Sequence, residues 1–376
     1  MAYNYVELGS LITPSKTVRC GDGDYPVLSM TMHNGLVFQD EKFKKVIASK
    51  DTSDYKVVYR NQLVISFPID EGVLAAQRIT DAGIVSPAYG IWDIDQSKIL
   101  PEFLEYALRC DRAIQYYKAK LRGSTARRRT LPTPTLLAFK VPLPCLEEQE
   151  KVIDRIHRAQ SVKEKRNEQI NKLDDLIKAR FVEMFGDMLI NPKGLAEQRL
   201  DTLADIVSGI TKGRKVKTNE LYKVPYMAVS NVKDGYIDWT TVKTIMATAA
   251  EIDQYRLMPG DVLMTEGGDP DKLGRGAIIH EPPKDCIHQN HIFRVRLKQD
   301  ILLSTYMAQY LQHQKAKRYF LGCAKQTTGI ASINMRQLSA LPVLVPSMKE
   351  QEEYAAFVAQ VDKSKQAHEY SGKLAA

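Results

Sequence analysis

The stretch "FKVPLPCLEEQE" (139–150) returns further along the chain in altered form as "LPVLVPSMKEQE" (341–352). In each copy a short apolar run closed by proline leads into a long polar segment, and Gln149 matches Gln351. The two copies lie about 200 residues apart, whereas the repeats of solenoid proteins are about 20–50 residues long. This spacing indicates a duplicated globular domain, with a helical tail after each copy.

Further pairs of segments extend the repeat upstream of each copy of this motif. The segment "YPVLSMTMHNGLVF" (25–38) resembles "VPYMAVSNVKDGYIDW" (224–239), and "NQLVIS" (61–66) faces "GDVLMT" (260–265). Several runs in these regions are short, β-branched and bounded by turn residues, namely "YPVLSM" and "QLVISF" in the first copy and "VPYMAVS", "DVLMT", "GAIIH" and "IFRVRL" in the second. Such a pattern predicts strands in both copies.

One helix is predicted in the middle of each copy. The segments "LPEFLEYALRCDRAIQYYKAK" (100–120) and "LLSTYMAQYLQHQKAKRYFLG" (302–322) carry apolar residues at helical spacing. A polar loop follows each of them, and then an apolar run, "LLAFKVPLP" or "LSALPVLVP", which we interpret as a strand closed by proline. Each copy is therefore predicted to be a mixed domain with strands on both sides of a helix.

The tail of the first copy, residues 146–187, is predicted to be one helix about 60 Å long. It contains no proline and no glycine before Gly186. Its apolar residues form one stripe at helical spacing: Val152, Ile156, Ala159, Ile170, Leu173, Ile177 and Met184. Such a stripe needs a partner, and the tail of the second copy has apolar residues at similar spacing: Tyr354, Phe357, Val358 and Val361.

The fold class that these patterns predict is α+β. Two similar globular mixed α/β domains, residues 1–145 and 188–346, are separated by two long helices, residues 146–187 and 347–376. We expect the helices to pair as an antiparallel coiled coil, because that arrangement covers both stripes if the domains lie at opposite ends.

Charge is concentrated in the two predicted domains. The chain has a net charge of +8 and a pI near 9.0. Residues 1–145 and 191–346 carry net charges of +4 and +6, whereas residues 146–190 and 347–376 each carry −1. Two basic bodies joined by nearly neutral segments indicate two contacts with a polyanion such as nucleic acid.

The remaining composition favours a soluble protein of the cytoplasm. We find no run of eighteen apolar residues and no basic, then apolar, N-terminal segment, so neither a membrane span nor a signal peptide is expected. The five cysteines are scattered without a Cys-x-x-Cys pair, which suits free thiols in a reducing compartment.

With these features the chain resembles the specificity subunits of type I restriction–modification systems over nearly its whole length. The resemblance rests on the two-fold repeat and on "VPLPCLEEQE" and "VLVPSMKEQE", which lead into long helices after loops rich in Gly, Ser and Thr. It implies that each globular copy is a target-recognition domain. The pair would read the two halves of a split sequence in double-stranded DNA, and the helices would set the unread gap.

The resemblance also implies partners. A specificity subunit docks two methyltransferase subunits, which use S-adenosylmethionine, and motor-nuclease subunits, which use ATP and magnesium. The subunit itself would bind no cofactor and would not be an enzyme. One departure from the family is that the second helical segment has about thirty residues, against more than forty in the first.

The arginine-rich loop "RGSTARRRTLPTP" (122–134) is the first candidate for DNA contact. When the two copies are aligned through the prolines that follow, Gly123-Ser124 corresponds to Gly322-Cys323 of the second copy. Arginine can read guanine and glutamine can read adenine, while either can bind phosphate. The alternatives of base contact, phosphate contact and a solvated loop stay open. The candidate residues of the two loops are Ser124, Thr125, Arg127, Arg128, Arg129, Lys325, Gln326, Thr327 and Thr328.

Further candidates lie in the second copy. Lys272 and Arg275 belong to "TEGGDPDKLGRGAII" (265–279), which is glycine-rich but lacks the Gly-Lys-Ser/Thr ending of a nucleotide-binding P-loop. We expect phosphate contact from these two side chains. Asn231 precedes the turn signal Asp234-Gly235, where a plain turn is as good an interpretation as DNA contact.

No metal site is predicted. Four potential ligands cluster in the second copy, but the first copy has no matching histidines, and a structural zinc site needs four ligands in closed geometry. These residues are His280, Cys286, His288 and His291.

Two other classes of function are weighed against the DNA-reading subunit. A DNA-modifying enzyme, either a nuclease or a methyltransferase with its own recognition domains, is the main alternative. An adenine methyltransferase needs an Asn/Asp-Pro-Pro-aromatic turn, which "NPKG" (191–194) and "EPPK" (281–284) both fail to provide. A coiled-coil scaffold without a DNA role is the other. We expect no catalytic residues.

Overall fold

The computed structural model describes residues 4–32, 34–42, 51–66, 69–121, 131–216, 220–269, 273–327 and 330–373. The chain divides into two compact units, unit 1 (residues 1–163) and unit 2 (residues 164–376). Both mix helices with strands, as the predicted fold class requires. Within the described ranges, no helix has the length and apolar character needed to cross a bilayer.

Unit 1 begins with short strands and continues with helices. Its strands are β1 (Tyr5–Glu7), β2 (Ile12–Pro14), β3 (Leu28–Thr31), β4 (Gly35–Phe38), β5 (Lys56–Tyr59), β6 (Leu63–Ile65), β7 (Leu74–Ala76), β8 (Ala82–Val85), β9 (Gly90–Ile94) and β10 (Lys140–Pro142). Its helices are α1 (Gln39–Lys42), α2 (Pro101–Arg109), α3 (Asp111–Lys120), α4 (Thr133–Leu137) and the first part of α5 (Leu146–Phe185).

Unit 2 contains the rest of α5 and the remaining elements. Its strands are β11 (Ala196–Arg199), β12 (Ala204–Ser208), β13 (Tyr222–Met227), β14 (Lys243–Ala247), β15 (Val262–Thr265), β16 (Gly267–Gly268), β17 (Gly276–Ile278), β18 (Ile287–His288), β19 (Ile292–Leu297), β20 (Lys325–Thr327), β21 (Ile330–Ser332) and β22 (Pro342–Val345). Its helices are α6 (Leu200–Leu203), α7 (Ala249–Tyr255), α8 (Ser304–Gln312), α9 (Gln314–Cys323), α10 (Met335–Ser339) and α11 (Met348–Lys373).

The two units share one sheet topology. Unit 1 has a four-stranded sheet in the order β2-β9-β6-β7, and unit 2 has β12-β19-β15-β17, with antiparallel neighbours in both. In each unit the strand before the long helix pairs with the first strand of its own unit, β10 with β1 and β22 with β11. The duplication predicted from sequence is therefore present in the backbone.

The prediction of a single helix in each copy is wrong, because the structure has two consecutive helices there. Helices α2 and α3 are separated at Cys110, and α8 and α9 at His313, where the backbone is extended with ψ of 159° and 151°. Helical spacing continues through both breaks, so the apolar pattern alone cannot reveal them. At His313 the ring Nδ1 accepts a hydrogen bond from the amide of Lys315, which caps the second helix.

The apolar runs predicted as single strands after the polar loops also divide. "LLAFKVPLP" begins in α4 and only its middle forms β10, while "LSALPVLVP" begins in α10 and continues as β22. The helical part buries Leu136 in unit 1 and Leu338 in unit 2. A short apolar run fits a buried helical turn as well as a strand, which explains the difference.

The motif "FKVPLPCLEEQE" (139–150) connects the long helix α5 to its domain through the side chain of Gln149 in unit 1. This side chain is fully buried. Its Oε1 accepts from the amide of Leu100 at 2.8 Å, and its Nε2 donates to the carbonyls of Lys98 at 3.0 Å and Pro144 at 2.9 Å. The start of α5 is thereby joined to the start of α2.

Gln351 repeats this arrangement in unit 2. It too is fully buried, its Oε1 accepts from the amide of Leu303 at 2.9 Å, and its Nε2 donates to Ile301 and Pro346, each at 3.0 Å. The glutamine that the two sequence motifs share therefore has a structural role, which is to join α11 to the start of α8.

Within unit 2 the second part of α5 packs against α11. Asp174 pairs with Lys365 at 2.5 Å, and the guanidinium of Arg180 lies 5.7 Å from the ring centre of Phe357. Because the contact moves backward along α11 as it moves forward along α5, the two helices are antiparallel here. Only Ile177 and Met184 of the predicted stripe are buried, and an aromatic cluster completes this core: Phe181, Phe185, Tyr306, Tyr310 and Tyr354.

Candidate nucleic-acid interface

A small three-stranded sheet in unit 2 brings together two of the segments singled out in the sequence. In the order β16-β21-β20, Gly267 pairs with Ser332 and Gly268 with Ala331, while Lys325 pairs with Ser332 on the other side. The glycine-rich segment and the polar loop after α9 therefore form one surface.

Two glycines of this segment lie where a neighbouring backbone approaches closely. A Cβ on Gly267 would lie 3.1 Å from the carbonyl oxygen of Ala331, and one on Gly276 would lie 2.6 Å from that of Leu263. These distances are those of neighbouring strands rather than of a loop around phosphate. Gly267 and Gly276 of the glycine-rich segment thus serve strand packing.

The loops after α3 and α9 are held at equivalent places in the two units. The hydroxyl of Tyr116 in α3 donates to the carbonyl of Thr135 in α4 at 2.8 Å. In unit 2 the hydroxyl of Tyr319 donates to the carbonyl of Gln337 in α10, also at 2.8 Å. Each tyrosine spans the two ends of its loop, so the loops leave and enter the fold in the same way.

The alignment of the two loops needs one correction. Gly322 and Cys323 are the last residues of α9, whereas Gly123 and Ser124 follow the end of α3 at Lys120, so the two pairs are not equivalent. The helices before the loops end 203 residues apart, and those after them begin 202 residues apart. On that count the two sequences align with an offset of 202 to 203 residues, and residues 127–129 themselves lie outside the described ranges.

The structure describes some of the predicted contact residues. Lys325 is exposed on β20, and Arg275 is half-buried at the start of β17, beside a small cavity that Asp234 and Lys317 also line. Gln326 and Thr327 belong to β20 by their backbone. The other candidates lie outside the described residues: Ser124, Thr125, Arg127, Arg128, Arg129, Lys272 and Thr328.

Of the two interpretations left open for Asn231, the structure fits the plain turn. Its side chain is fully buried, where Oδ1 accepts from the amide of Ala228 and Nδ2 donates to the carbonyl of Asp238 and the hydroxyl of Thr241. These bonds leave the amide group inside the loop. Asn231 shapes the turn around Gly235, whose φ of 84° needs glycine.

An acid–histidine pair at this surface was missed by the sequence reasoning. Oε2 of Glu266, between β15 and β16, lies 2.5 Å from Nδ1 of His291, just before β19. The two residues are 25 positions apart, and only the sheet brings them together. Both residues lie in segments that the sequence singles out, His291 in the histidine cluster and Glu266 in the glycine-rich segment, but nothing in the sequence relates one segment to the other.

Cys286 and His288 of the histidine cluster are interior, whereas His280 is exposed. His288 is buried with its ring nitrogens 3.2 Å from the carbonyl of Tyr255 and 3.3 Å from that of Val207, and burial lowers its pKa to about 4. Burial raises the pKa of the Cys286 thiol to about 12. Among the described residues no three His, Cys, Asp or Glu side chains are arranged to hold a metal ion.

Several arginines of unit 2 are bonded internally. Arg294, nearly buried, pairs with Asp205 at 3.0 Å, and Arg296 binds the buried carboxylate of Asp261 through two contacts of 2.7 and 2.8 Å. Their positive charge is offset within the fold. These two guanidinium groups are engaged by carboxylates of the same unit, whose net charge the pairing leaves unchanged because both acids are already counted in it.

A third such pair predicts how stability depends on pH. The hydrogen-bonded guanidinium of Arg214 lowers the pKa of Glu251 to about 2. Because the folded-state pKa is depressed, the stabilisation is present above the unfolded value near 4.5 and is lost as pH falls toward 2. Glu251→Gln keeps the N-terminal cap of α7 but removes the charge, and we expect it to destabilise unit 2 by about 2 kcal/mol at pH 7.

Urea unfolding at several pH values measures this effect. The difference between Glu251→Gln and the unchanged protein should narrow steadily between pH 4.5 and pH 2. Asp253→Asn, which alters an exposed partner of Arg256 on the same helix, serves as the control and should have little effect at any pH. A Glu251→Gln difference that stays constant with pH would show that the ion pair does not stabilise the fold.

The chain is similar to known proteins in sequence and in fold. Residues 192–373 match the family described as type I restriction modification DNA specificity domain. The "Putative type I restriction enzyme MjaX specificity subunit" of Methanocaldococcus jannaschii is 28% identical over 162 residues, which are 43% of this chain and 38% of that protein. The "Type I restriction enzyme EcoKI specificity subunit" of Escherichia coli is 24% identical over 159 residues, 42% of this chain and 34% of that protein.

A solved structure is similar along almost the whole chain. It is described as "Structural basis underlying complex assembly and conformational transition of the type I R-M system". The TM-score is 0.59 at 18% identity, with 99% of this chain and 94% of the other covered. This likeness shows the fold, whereas the matches to the two sequence relatives span little more than a third of their length.

Proposed function

We propose, on the premise that this chain belongs to the specificity subunits of type I restriction–modification systems, that it binds double-stranded DNA. Each unit reads one half of a split target sequence. The loops after α3 and α9, with the arginines 127–129 in one and Lys325 in the other, contact the DNA. Phosphate contacts position the units, and contacts to base edges select the sequence.

The observation that carries the proposal is the repeated scaffold with unlike loops. The same four-stranded sheet, helix pair and tyrosine-held loop occur in both units. The loops themselves differ in charge, since residues 122–130 hold four arginines and residues 324–332 a single lysine. A shared frame with different contact residues is what two readers of different half-sites need.

The partners and the reaction belong to the same proposal. The chain docks two methyltransferase subunits, which carry S-adenosylmethionine, and motor-nuclease subunits, which carry ATP and magnesium, and it catalyses nothing itself. Helix α5, with α11 as its antiparallel partner, sets the unread gap.

Exchange of one recognition domain tests this function. Residues 1–145 are replaced by the corresponding domain of a relative, the chain is co-expressed with its methyltransferase subunit, and methyladenine is mapped by single-molecule sequencing. We expect one half of the methylated sequence to change and the other half to stay as it was. The control is the reciprocal exchange of residues 188–346, which should change the other half.

Two outcomes contradict the proposal. A change in both halves after either exchange means that the units do not read separately. Methyl transfer or cleavage by the purified chain alone, with cofactors supplied, means that the chain is an enzyme in its own right.

A further inference from the structure

Glu266 lies where the four-stranded and three-stranded sheets of unit 2 meet, between β15 and β16. Its amide donates to the carbonyl of His291 at 3.0 Å, and its carbonyl accepts from the amide of Ile333 at 2.8 Å. Both backbone groups are therefore bonded to other strands. The side chain is presented from a backbone position with little freedom, as precise recognition requires.

The carboxylate of Glu266 is oriented but still accessible. The side chains of Glu266 and His291 are 34% and 57% exposed, and one contact of 2.5 Å joins them. A carboxylate offers about four acceptor sites. The bond to the imidazole fixes its direction and leaves acceptor capacity for a ligand.

An acid at this place would weaken DNA binding unless it meets a donor. A carboxylate repels phosphates whatever the sequence, so it lowers the affinity for all DNA alike. In the major groove the donors that a base presents are the exocyclic amino groups, N4 of cytosine and N6 of adenine. Lys325, exposed on β20 of the adjoining three-stranded sheet, is suited to phosphate instead.

The sequence of unit 1 has no acid–histidine pair at the corresponding positions. Leu63 faces Trp92 in unit 1 as Val262 faces Val295 in unit 2, and the amide of Ser66 is bonded as that of Thr265 is. On this register the sequence has Phe67 where unit 2 has Glu266, and Ala88 where it has His291. The shared scaffold does not need the pair, which points to a role specific to one half-site.

We propose that Glu266 is a specificity-determining residue of unit 2, which accepts a hydrogen bond from the exocyclic amino group of one base, and that His291 positions it. The inference rests on the proposed function and deepens it. It assigns a base-reading group to a recognition unit whose other contact residues are basic or neutral.

Modified duplexes test the contact on the unaltered complex. The chain with its methyltransferase subunit binds duplexes in which single bases of the half-site read by unit 2 lack the exocyclic amino group. Cytosine is replaced by pyrimidinone and adenine by purine, so the two series distinguish the two bases. Loss of one amino group should weaken binding roughly ten- to a hundred-fold at one position.

Substitutions of Glu266 and His291 test whether these two residues recognise the base identified with the modified duplexes. In Glu266→Gln, the methylated sequence should become relaxed or altered at that same base, and the missing amino group should no longer matter there. His291→Gln should give a smaller relaxation at the same base, and the double variant should be no worse than Glu266→Gln alone. Glu281→Gln, with the same charge change at another exposed acid, is the matched control and should leave the sequence unchanged.

The outcomes separate this inference from the proposed function. An unchanged methylated sequence in Glu266→Gln, or no sensitive amino group in that half-site, overturns the inference and leaves the function standing. Uniformly stronger binding to all sequences overturns it too, because the acid would then act only through its charge. The function itself fails if the unaltered complex shows no preference for any sequence.

Discussion

Gln351→Leu is expected to lower the free energy of unfolding of unit 2 by about 3–5 kcal/mol. The variant removes three hydrogen bonds and leaves the buried carbonyl of Pro346, and the half-buried amide of Leu303 and carbonyl of Ile301, without this partner. Each buried polar group left unpaired costs about 1–3 kcal/mol. Leucine is close to glutamine in size, so the loss measures the bonds more than a cavity.

The chain offers a way to observe each unit separately. Its two tryptophans are Trp92 in unit 1 and Trp239 in unit 2, so fluorescence of each, with the other replaced by phenylalanine, follows urea unfolding of its own unit. Gln351→Leu should shift the Trp239 transition, and Gln149→Leu should shift that of Trp92 by a similar amount. Glu352→Gln, exposed on the same helix, should change either transition by less than about 0.5 kcal/mol. Equal effects of Glu352→Gln and Gln351→Leu would show that the buried bonds are not what holds the helix.

Gly274→Ala is expected to destabilise unit 2 by about 3 kcal/mol or more. Gly274 has a φ of 72°, and a Cβ there would lie 2.3 Å from the ring of Phe320, which is fully buried. The left-handed backbone alone costs about 1–2 kcal/mol for alanine. The overlap with a ring that cannot move without opening the core supplies the rest.

Substitution of a second glycine separates the cost of the left-handed backbone from the cost of the overlap with Phe320. Gly213 has a φ of 79°, but no atom lies within 4 Å of its Cβ position, so Gly213→Ala should show the backbone cost without the overlap. Urea unfolding followed by Trp239 compares the variants. If Gly274→Ala proves no less stable than Gly213→Ala, the contact with Phe320 does not constrain this position. The expected result would establish that this glycine of the glycine-rich segment serves packing.

Much of the fold could be predicted from the sequence. The repeated motif around Gln149 and Gln351 predicted a duplicated domain, and the strand predicted at "IFRVRL" has the bounds Ile292–Leu297 in the structure. The breaks at Cys110 and His313 were not accessible, because a one-residue interruption leaves helical spacing intact. They depend on how each helix pair folds back on its own sheet.

The candidate site could be predicted from the sequence only in part. Exposed Lys325 was named from the sequence. For Asn231 the sequence left a plain turn and DNA contact open, because an asparagine beside a turn can point outward or bond its own loop. Glu266 and His291 could not be paired from sequence, since nothing local relates two residues of different strands.

The sequence by itself determined the duplication, the fold class, the concentration of charge in two segments and the long helices. These follow from local patterns, namely spacing, composition and repetition, which act along the chain. The tertiary structure alone decided which side chains share a surface. It joined the glycine-rich segment to the loop after α9, set Glu266 against His291, and neutralised Arg294 and Arg296 inside the fold. The physical reason is that strand pairing and ion pairing depend on distance in space, which the order of residues does not specify.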